Sequence, residues 1–317
     1  MSNAKRRNRG HLAVRRRRSS PRWLLKSRVV IDVVDRVVFE TSSVRVGAFR
    51  CPTDHPSFHD SGPIREHCFV FPRTPVVIQH KDDRPFAADS TLVTLYNRGQ
   101  EYRRERVSPD GDRCDWYAVS DGVLREALAD RDPQAADDYR RPIRFAFART
   151  SADTYLLQRQ LFTRVSQAVP ADPLFVEETV FALLDRVIDH AYGDLFIVGA
   201  PRVSRLSALL AHSACEVLGR CFAEPLTLAQ IADSIGTSPF HLCRSFRRAT
   251  GMTMHDYRNQ LRLRSTLDAL ENPQTDLSQL ALAAGYSSHS HFTASFRRAF
   301  GITPSVARDR MTGPHGI

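Results

Sequence analysis

No stretch of this chain stays apolar for the roughly 20 residues that a membrane-crossing helix needs, so a helix-anchored membrane protein is excluded. Cysteine is sparse: Cys51, Cys68, Cys114, Cys215, Cys221 and Cys243 stand apart, with no CxxC pair or ladder spacing. That pattern argues against a disulfide scaffold or structural zinc site and suits reduced thiols in a cytoplasm. Acidic residues are missing from positions 1–28, which hold eleven of the 45 Lys and Arg, so 34 basic residues face all 35 acidic ones in the rest. The net charge of +10 therefore belongs to the tail. The tail also lacks apolar periodicity and the apolar core of a signal peptide, because Trp23-Leu24-Leu25 is cut by Lys26 and Arg28. Residues 1–28 are expected to be disordered, either as a DNA-touching arm or as a stretch upstream of a translation start near Leu24 or Val29.

What is present suits two domains and a tail in 317 residues. From Val29 to about Val119 the chain reads as short strands rich in Val, Ile, Phe and Tyr, with candidates at 66–71, 75–80, 91–96, 101–107 and 114–119. Turn chemistry separates them, as in Ser61-Gly62-Pro63 and Asn97-Arg98-Gly99. Regular spacing of short strands points to a β-sandwich or barrel. Beyond Asp121 the apolar period changes to three or four, predicting amphipathic helices at about 151–168, 173–191 and 203–222. The resulting class is α+β: a β domain with a helical pair over 29–200, a linking helix over 201–223, and an all-α domain over 224–310.

The all-α domain is an internal duplication. Ser245-Phe246-Arg247-Arg248-Ala249 recurs fifty residues later as Ser295-Phe296-Arg297-Arg298-Ala299, and Gly251 and Thr253 recur as Gly301 and Thr303. Upstream the offset is 49, matching Thr227, Gln230 and Gly236 to Asp276, Gln279 and Gly285, so the second copy has one extra residue beside Tyr286. Thr227 with Gln230, and Asp276 with Gln279, have the spacing of a capping box. Each first helix stops at a glycine, and Ser238 and Ser287 or Ser288 start the second helices. Two helices around such a turn make a helix-turn-helix unit, so the domain holds two of them.

In the second helix of copy one, Leu242, Phe246 and Ala249 are expected to pack on Ile231 and Ile235. Phe240, Cys243, Arg244 and Arg247 then face outward, where a helix can enter a DNA major groove and Arg can reach guanine or phosphate. A lone Arg cluster of this kind is ordinarily a solvated helix face; its duplication at corresponding positions weighs against that. Between the copies, 254–271 reads as one helix with Tyr257, Leu261, Leu267 and Leu270 inward and Arg258, Arg262 and Arg264 outward. It would span about 27 Å, enough to hold two recognition helices near one DNA repeat.

The stretch Leu226 to Arg310, above all Ala283-Ala284-Gly285-Tyr286-Ser287-Ser288-His289 through Phe300-Gly301-Ile302-Thr303-Pro304, resembles the DNA-binding domain of the AraC/XylS family of bacterial regulators. The Phe69-Val70-Phe71-Pro72-Arg73 and Tyr96-Asn97-Arg98-Gly99-Gln100 segments resemble the cupin-like domain found in such regulators. The resemblance implies a sequence-specific transcription regulator, usually an activator that contacts RNA polymerase. It also implies double-stranded DNA as partner and an N-terminal cupin-like domain for effector binding and/or dimerisation; a small-molecule effector, a homodimer and a cytoplasmic, nucleoid-associated location are the corresponding expectations. The resemblance places base-reading positions at Phe240, Cys243 and Arg244 and at Ser290, Thr293 and Ala294; with Ser238, Arg247, Arg248, His289, Arg297 and Arg298 on the same helices, these are the expected DNA contacts. The chain departs from the family pattern with Ala294 where Arg is usual and Ala307 where an aromatic is frequent. The second unit is therefore expected to read bases weakly and to lean on Arg297 and Arg298 for phosphate.

Two rival readings make the protein an enzyme: a cupin metalloenzyme, or a cysteine-dependent methyl-transfer repair protein fused to a DNA-binding domain. Against the first, His55, His59, His67 and His80 include no His-x-His strand pair, and His289 and His291 diverge on a helix. Against the second, Cys68 and Cys114 lack a clustered Cys quartet or a Pro-Cys-His motif. Oxidant sensing at Cys215 and Cys221 competes with their role as small apolar residues. No cofactor, metal or catalytic residue is expected.

Overall fold

A computed structural model describes residues 33–81, 83–193 and 204–313. The basic tail at 1–28 and the domain boundary near Pro201 lie outside these residues. The strands are β1 (Val34–Glu40), β2 (Val44–Cys51), β3 (Asp60–Ser61), β4 (Cys68–Pro72), β5 (Val76–His80), β6 (Phe86–Ala88), β7 (Leu92–Tyr96), β8 (Tyr102–Arg106), β9 (Asp112–Val119) and β10 (Phe147–Arg149). They form two antiparallel sheets, ordered β1-β2-β9-β4-β7-β10 and β3-β8-β5-β6. The five strands expected from alternation are all present; β1, β2, β3, β6 and β10 join them. Arg104, 1% exposed, ties the sheets: it donates to Asp112 at 2.7 Å, the Phe58 carbonyl at 2.9 Å and Ser61 at 2.7 Å.

Period 2 gives the larger sheet two different faces. Cys68, Val70 and Pro72 of β4, Thr94 and Tyr96 of β7, and Asp112, Cys114, Trp116 and Ala118 of β9 line a cavity of about 260 Å³ inside the barrel. Phe69, Phe71, Val93, Leu95, Tyr117 and Val119 from the same strands enter the main core on the other side. That core is covered by α1 (Asp121–Ala129), α2 (Pro133–Ala136), α3 (Ala152–Val165) and α4 (Pro173–Gly193). Pro173 starts α4 as its spacing predicts, and the hydroxyl of Ser151 caps α3 by accepting from the Thr154 amide.

The helical domain comprises α5 (Arg205–Cys221), α6 (Leu228–Ile235), α7 (Pro239–Thr250), α8 (Met254–Leu270), α9 (Leu277–Ala283), α10 (His289–Phe300) and α11 (Pro304–Thr312). Leu210, Ala214 and Leu218 of α5 close the core of the first unit against Ile231, Leu242, Phe246, Tyr257 and Leu261. The second unit packs elsewhere. Phe292, Phe296 and Phe300 stack down α10, with centroids 5.6 and 4.4 Å apart, and join Leu263, Leu267 and Leu280 in the same core as the barrel's outer face.

One expectation for α8 is overturned. Arg264 does not face solvent: it is 2% exposed and donates to the Thr150 carbonyl at 2.8 Å, with a second bond to the Ser90 carbonyl. Helix α8 lies against the barrel, so the arginine on its outer stripe is enclosed and finds backbone acceptors.

Candidate nucleic-acid interface

The two units are built alike, from the caps upward. Thr227 and Gln230 complete a full capping box at the start of α6, whereas Asp276 accepts from the amides of Ser278 and Gln279 without a return bond from Gln279. The Asp276 carboxylate thus satisfies two orphan amides of the first turn by itself. Both turns use the left-handed backbone, at Gly236 (φ 76°) and Gly285 (φ 86°). At Gly285 a side chain is excluded twice over, since a Cβ would lie 2.4 Å from the Ala223 carbonyl oxygen. Ser238 and Ser288 then cap α7 and α10 by accepting from His241 and His291, at 3.2 Å each.

These caps fix which faces α7 and α10 bury. Leu242 and Phe246, and correspondingly Phe292 and Phe296, are fully enclosed. The opposite faces are open. Ser238, Phe240, Cys243, Arg244, Arg247 and Arg248 are all exposed, Phe240 at 78%, a large apolar surface to leave open. On α10, His289, Ser290, Arg297 and Arg298 are exposed and Thr293 is half-buried; with Ala294 they line one shallow open groove. His289 lies 3.4 Å from the Thr293 hydroxyl, and His291 turns away to Ser287 at 3.3 Å and the edge of Tyr286. The structure thus brings the candidate contacts of each copy onto one face of its second helix. Arg247 and Arg248, and Arg297 and Arg298, sit in the last turns, where a cation also complements the helix dipole.

Residues 231–310 match the family described as helix-turn-helix domain. The C-terminal region is an AraC-type helix-turn-helix domain. The chain is similar to the transcriptional regulator GlxA of Rhizobium meliloti, 35% identical over 30% of this chain and 29% of that protein. It is similar to the transcriptional activator RhaS of Escherichia fergusonii, 29% identical over 49% of this chain and 55% of that one. It also matches the bifunctional transcriptional activator/DNA repair enzyme AdaA of Bacillus subtilis, 29% identical over 29% and 44%. The chain thus spans between about a third and about half the length of these relatives. Among solved structures, ToxT of Vibrio cholerae aligns over 84% of this chain and 98% of its own at 14% identity, with a TM-score of 0.34. An AraC-type regulator from Chromobacterium violaceum aligns over 35% and 99% at 30% identity, with a TM-score of 0.32.

The AraC-type domain holds a second duplicated feature that the helix faces alone do not reveal. Arg258 donates to the Leu226 carbonyl at 3.0 Å and Arg308, fifty positions on, donates to the Thr275 carbonyl at 3.2 Å. Each arginine pins the chain just before the first helix of its own unit to the helix that follows the unit. Extending the repeat past Thr253 and Thr303 to Arg258 and Arg308 is the sequence signal that would have found them.

The histidines and thiols of the rival enzymatic readings are occupied otherwise. The His55 ring nitrogen accepts from the Ser57 amide at 3.1 Å, His67 accepts from the Arg98 amide at 3.2 Å, and His59 lies 3.3 Å from the Arg104 carbonyl. His80 is enclosed beside Tyr96, and burial brings its pKa down to about 4, leaving it neutral near pH 7. Among the described residues, no group of three or more His, Cys, Asp or Glu is placed to hold a metal ion. Burial pushes the thiols of Cys68 and Cys215 up to about 12 and that of Cys114 well above its usual value, opposite to what a nucleophilic or oxidant-sensing thiolate requires.

Proposed function

We propose that this protein is a sequence-specific, double-stranded-DNA-binding transcription regulator, acting as an activator and not as an enzyme. The reading is carried by the pairing of α7 and α10: two equivalent capped helices, each joined to its unit by an apolar face, each presenting exposed Arg pairs outward. Such helices enter successive major grooves, where side chains near the N-terminal half reach bases and last-turn arginines reach phosphate. Ser238, Phe240, Cys243 and Arg244 then read bases from α7, His289, Ser290 and Thr293 do so more weakly from α10, and Arg247, Arg248, Arg297 and Arg298 hold the backbone.

Residues 224–310 form the DNA-binding domain in this reading, 201–223 link it, and 29–200 regulate and dimerise it. The cavity of about 260 Å³ in the barrel supports a small-molecule effector there. A homodimer, contact with RNA polymerase and a place on the nucleoid in the cytoplasm complete the proposal; among the described residues no helix is long and apolar enough to cross a membrane.

Recovery of chromatin fragments bound in the host tests it. A shared two-part motif with halves about 10 bp apart is the expected result. Fragments without a common motif, or without binding above random DNA in vitro, would sink the reading.

A further inference from the structure

Helix α7 ends differently from its duplicate. Gly251 closes α7 and Gly301 closes α10 with the same left-handed backbone, φ 73° and 75°. Open space surrounds Gly301, whereas the guanidinium of Arg149 sits beside Gly251, with Nη1 2.6 Å from where a Cβ would stand. Arg149, half-buried at the end of β10, donates to the Ala249 carbonyl at 3.1 Å across 100 residues of sequence. That carbonyl belongs to the last turn of α7, where backbone oxygens lack intrahelical donors and a cation complements the helix dipole. A side chain of the barrel therefore caps the recognition helix of the first unit, and at Gly301 the second unit has nothing equivalent.

Arg149 is itself held in place from both sides. It lies opposite Leu92 of β7, Ala148 before it is buried in the main core, and the Thr150 amide after it donates to the Thr91 carbonyl at 3.0 Å. The same part of the barrel holds α8. The Thr91 amide and hydroxyl donate to Asp89 at 2.8 and 2.7 Å, and the other Asp89 oxygen accepts from the Tyr257 hydroxyl. Arg264, further along α8, donates to the Ser90 and Thr150 carbonyls. Ties at Tyr257 and Arg264 lie along one helix axis and leave the first unit free to roll about it. The contact of α5 with Pro75 and Val107 at Gly219 is apolar, and apolar contact has no preferred direction. Arg149 supplies a directional bond to α7 itself, off the α8 axis. With packed helix axes about 10 Å apart, a roll of about 10° would shift α7 by about 1.7 Å, more than a hydrogen bond to a base tolerates.

We propose that Arg149 is a positioning residue for DNA recognition: from outside the DNA-binding domain it sets the orientation of α7, and with it the base preference of the first half-site alone. The inference rests on the DNA-binding reading above and deepens it. Arg149 grips the last turn of α7 and leaves Phe240, Cys243 and Arg244 exposed, so the contact aims the reading face without covering it. No such cap holds the end of α10 at Gly301, so the second half-site is independent of Arg149.

The test uses the full chain and a pool of randomised duplex DNA. If wild type selects no preferred sequence, the DNA-binding reading fails, and amide exchange without DNA still tests the grip. Arg149→Met should speed exchange across 247–251 by about fivefold in the absence of DNA. It should weaken binding to the duplex that wild type selects by about tenfold and flatten base preference in the first half-site only. Affinity for random DNA and the salt slope should stay as in wild type, because Arg149 does not touch phosphate. Arg149→Lys, which keeps a charged donor, should recover most of the lost preference. Gly251→Ala provides a second route: its Cβ displaces the guanidinium and should reproduce the loss in the first half-site. Gly301→Ala carries the same backbone strain in open space and should leave the first half-site intact. Unchanged exchange or first-half-site preference in Arg149→Met, an equal loss in both half-sites, a reduced salt slope, or tighter binding overturns the proposal.

Discussion

Arg73 at the end of β4 and Asp268 near the end of α8 meet at 2.6 Å across 195 residues of sequence. Burial by itself would raise the Asp268 carboxyl, but Arg73, Arg159 and Arg113 outweigh it and bring it down to about 2, against 3.8 for a free side chain. A folded-state value below the unfolded one means that folding favours the ionised form. The stabilisation is therefore complete above about pH 4 and disappears as pH falls through about 2. Asp268→Asn should cost about 1–3 kcal/mol near pH 7, measured by urea unfolding, and the gap to wild type should narrow steadily below pH 4. A gap that stays constant down to pH 2.5 would show that charge is not what Asp268 contributes.

The turn glycines offer a paired comparison. Gly236 and Gly285 share a left-handed backbone, but only Gly285 has a carbonyl oxygen where a Cβ would go; around Gly236 the space is open. Gly236→Ala should cost about 1 kcal/mol, the backbone penalty alone. Gly285→Ala should cost about 2 kcal/mol more, because the Ala223 carbonyl must move. Thermal unfolding of the two variants side by side decides it, and equal losses would assign the whole effect to backbone strain.

Much of this architecture is legible in the sequence because local rules and tertiary packing agree. Strand alternation marks β4, β5, β7, β8 and β9, and the repeat marks α6, α7, α9 and α10 with their caps. The outward positions of Phe240, Arg244, Arg247 and Arg297 follow from Leu242, Phe246, Phe292 and Phe296 taking the inner stripe. The failure at Arg264 has a physical cause: it is buried on a helix whose polar face ordinarily marks solvent, because a second layer covers that face, as one also covers Arg159 and Gln158 on α3. Periodicity reports which stripe of a helix is apolar; it carries no information on whether the polar stripe meets water or another domain. The docking of α8 on the barrel depends on pairings such as Arg73 with Asp268, which join positions too distant for any local pattern.

Within α7 and α10, two exposed arginines should behave differently on DNA. Arg244 lies mid-helix beside Phe240 and Cys243, while Arg298 lies in the last turn of α10. Arg244→Ala should lower affinity for the preferred site by about 1–3 kcal/mol and relax base preference there. Arg298→Ala should weaken specific and random DNA alike and reduce the salt slope by about one. Titrations at several salt concentrations separate the two, and matching losses on both kinds of DNA would dissolve the division of roles.

The inequality of the two recognition helices allows a gain to be predicted as well as losses. Ala294 lies in the open groove of α10 beside Thr293, Arg297 and Ser290, exposed and offering only a methyl group. A methyl contacts thymine and little else, so the second half-site should show weak base preference in a selection from randomised DNA. Truncating Ser290 or Thr293 to Ala should then change that preference little, whereas Phe240→Ala, which removes the largest exposed apolar side chain on α7, should visibly alter the first half-site. Ala294→Arg places a forked donor in the groove without disturbing Phe292 or Phe296 beneath it, since position 294 points away from the core. It should create a guanine preference in the second half-site worth about 1–3 kcal/mol against other bases. Tighter binding without any new base preference would mean that α10 touches phosphate only, and that the first helix alone reads the sequence.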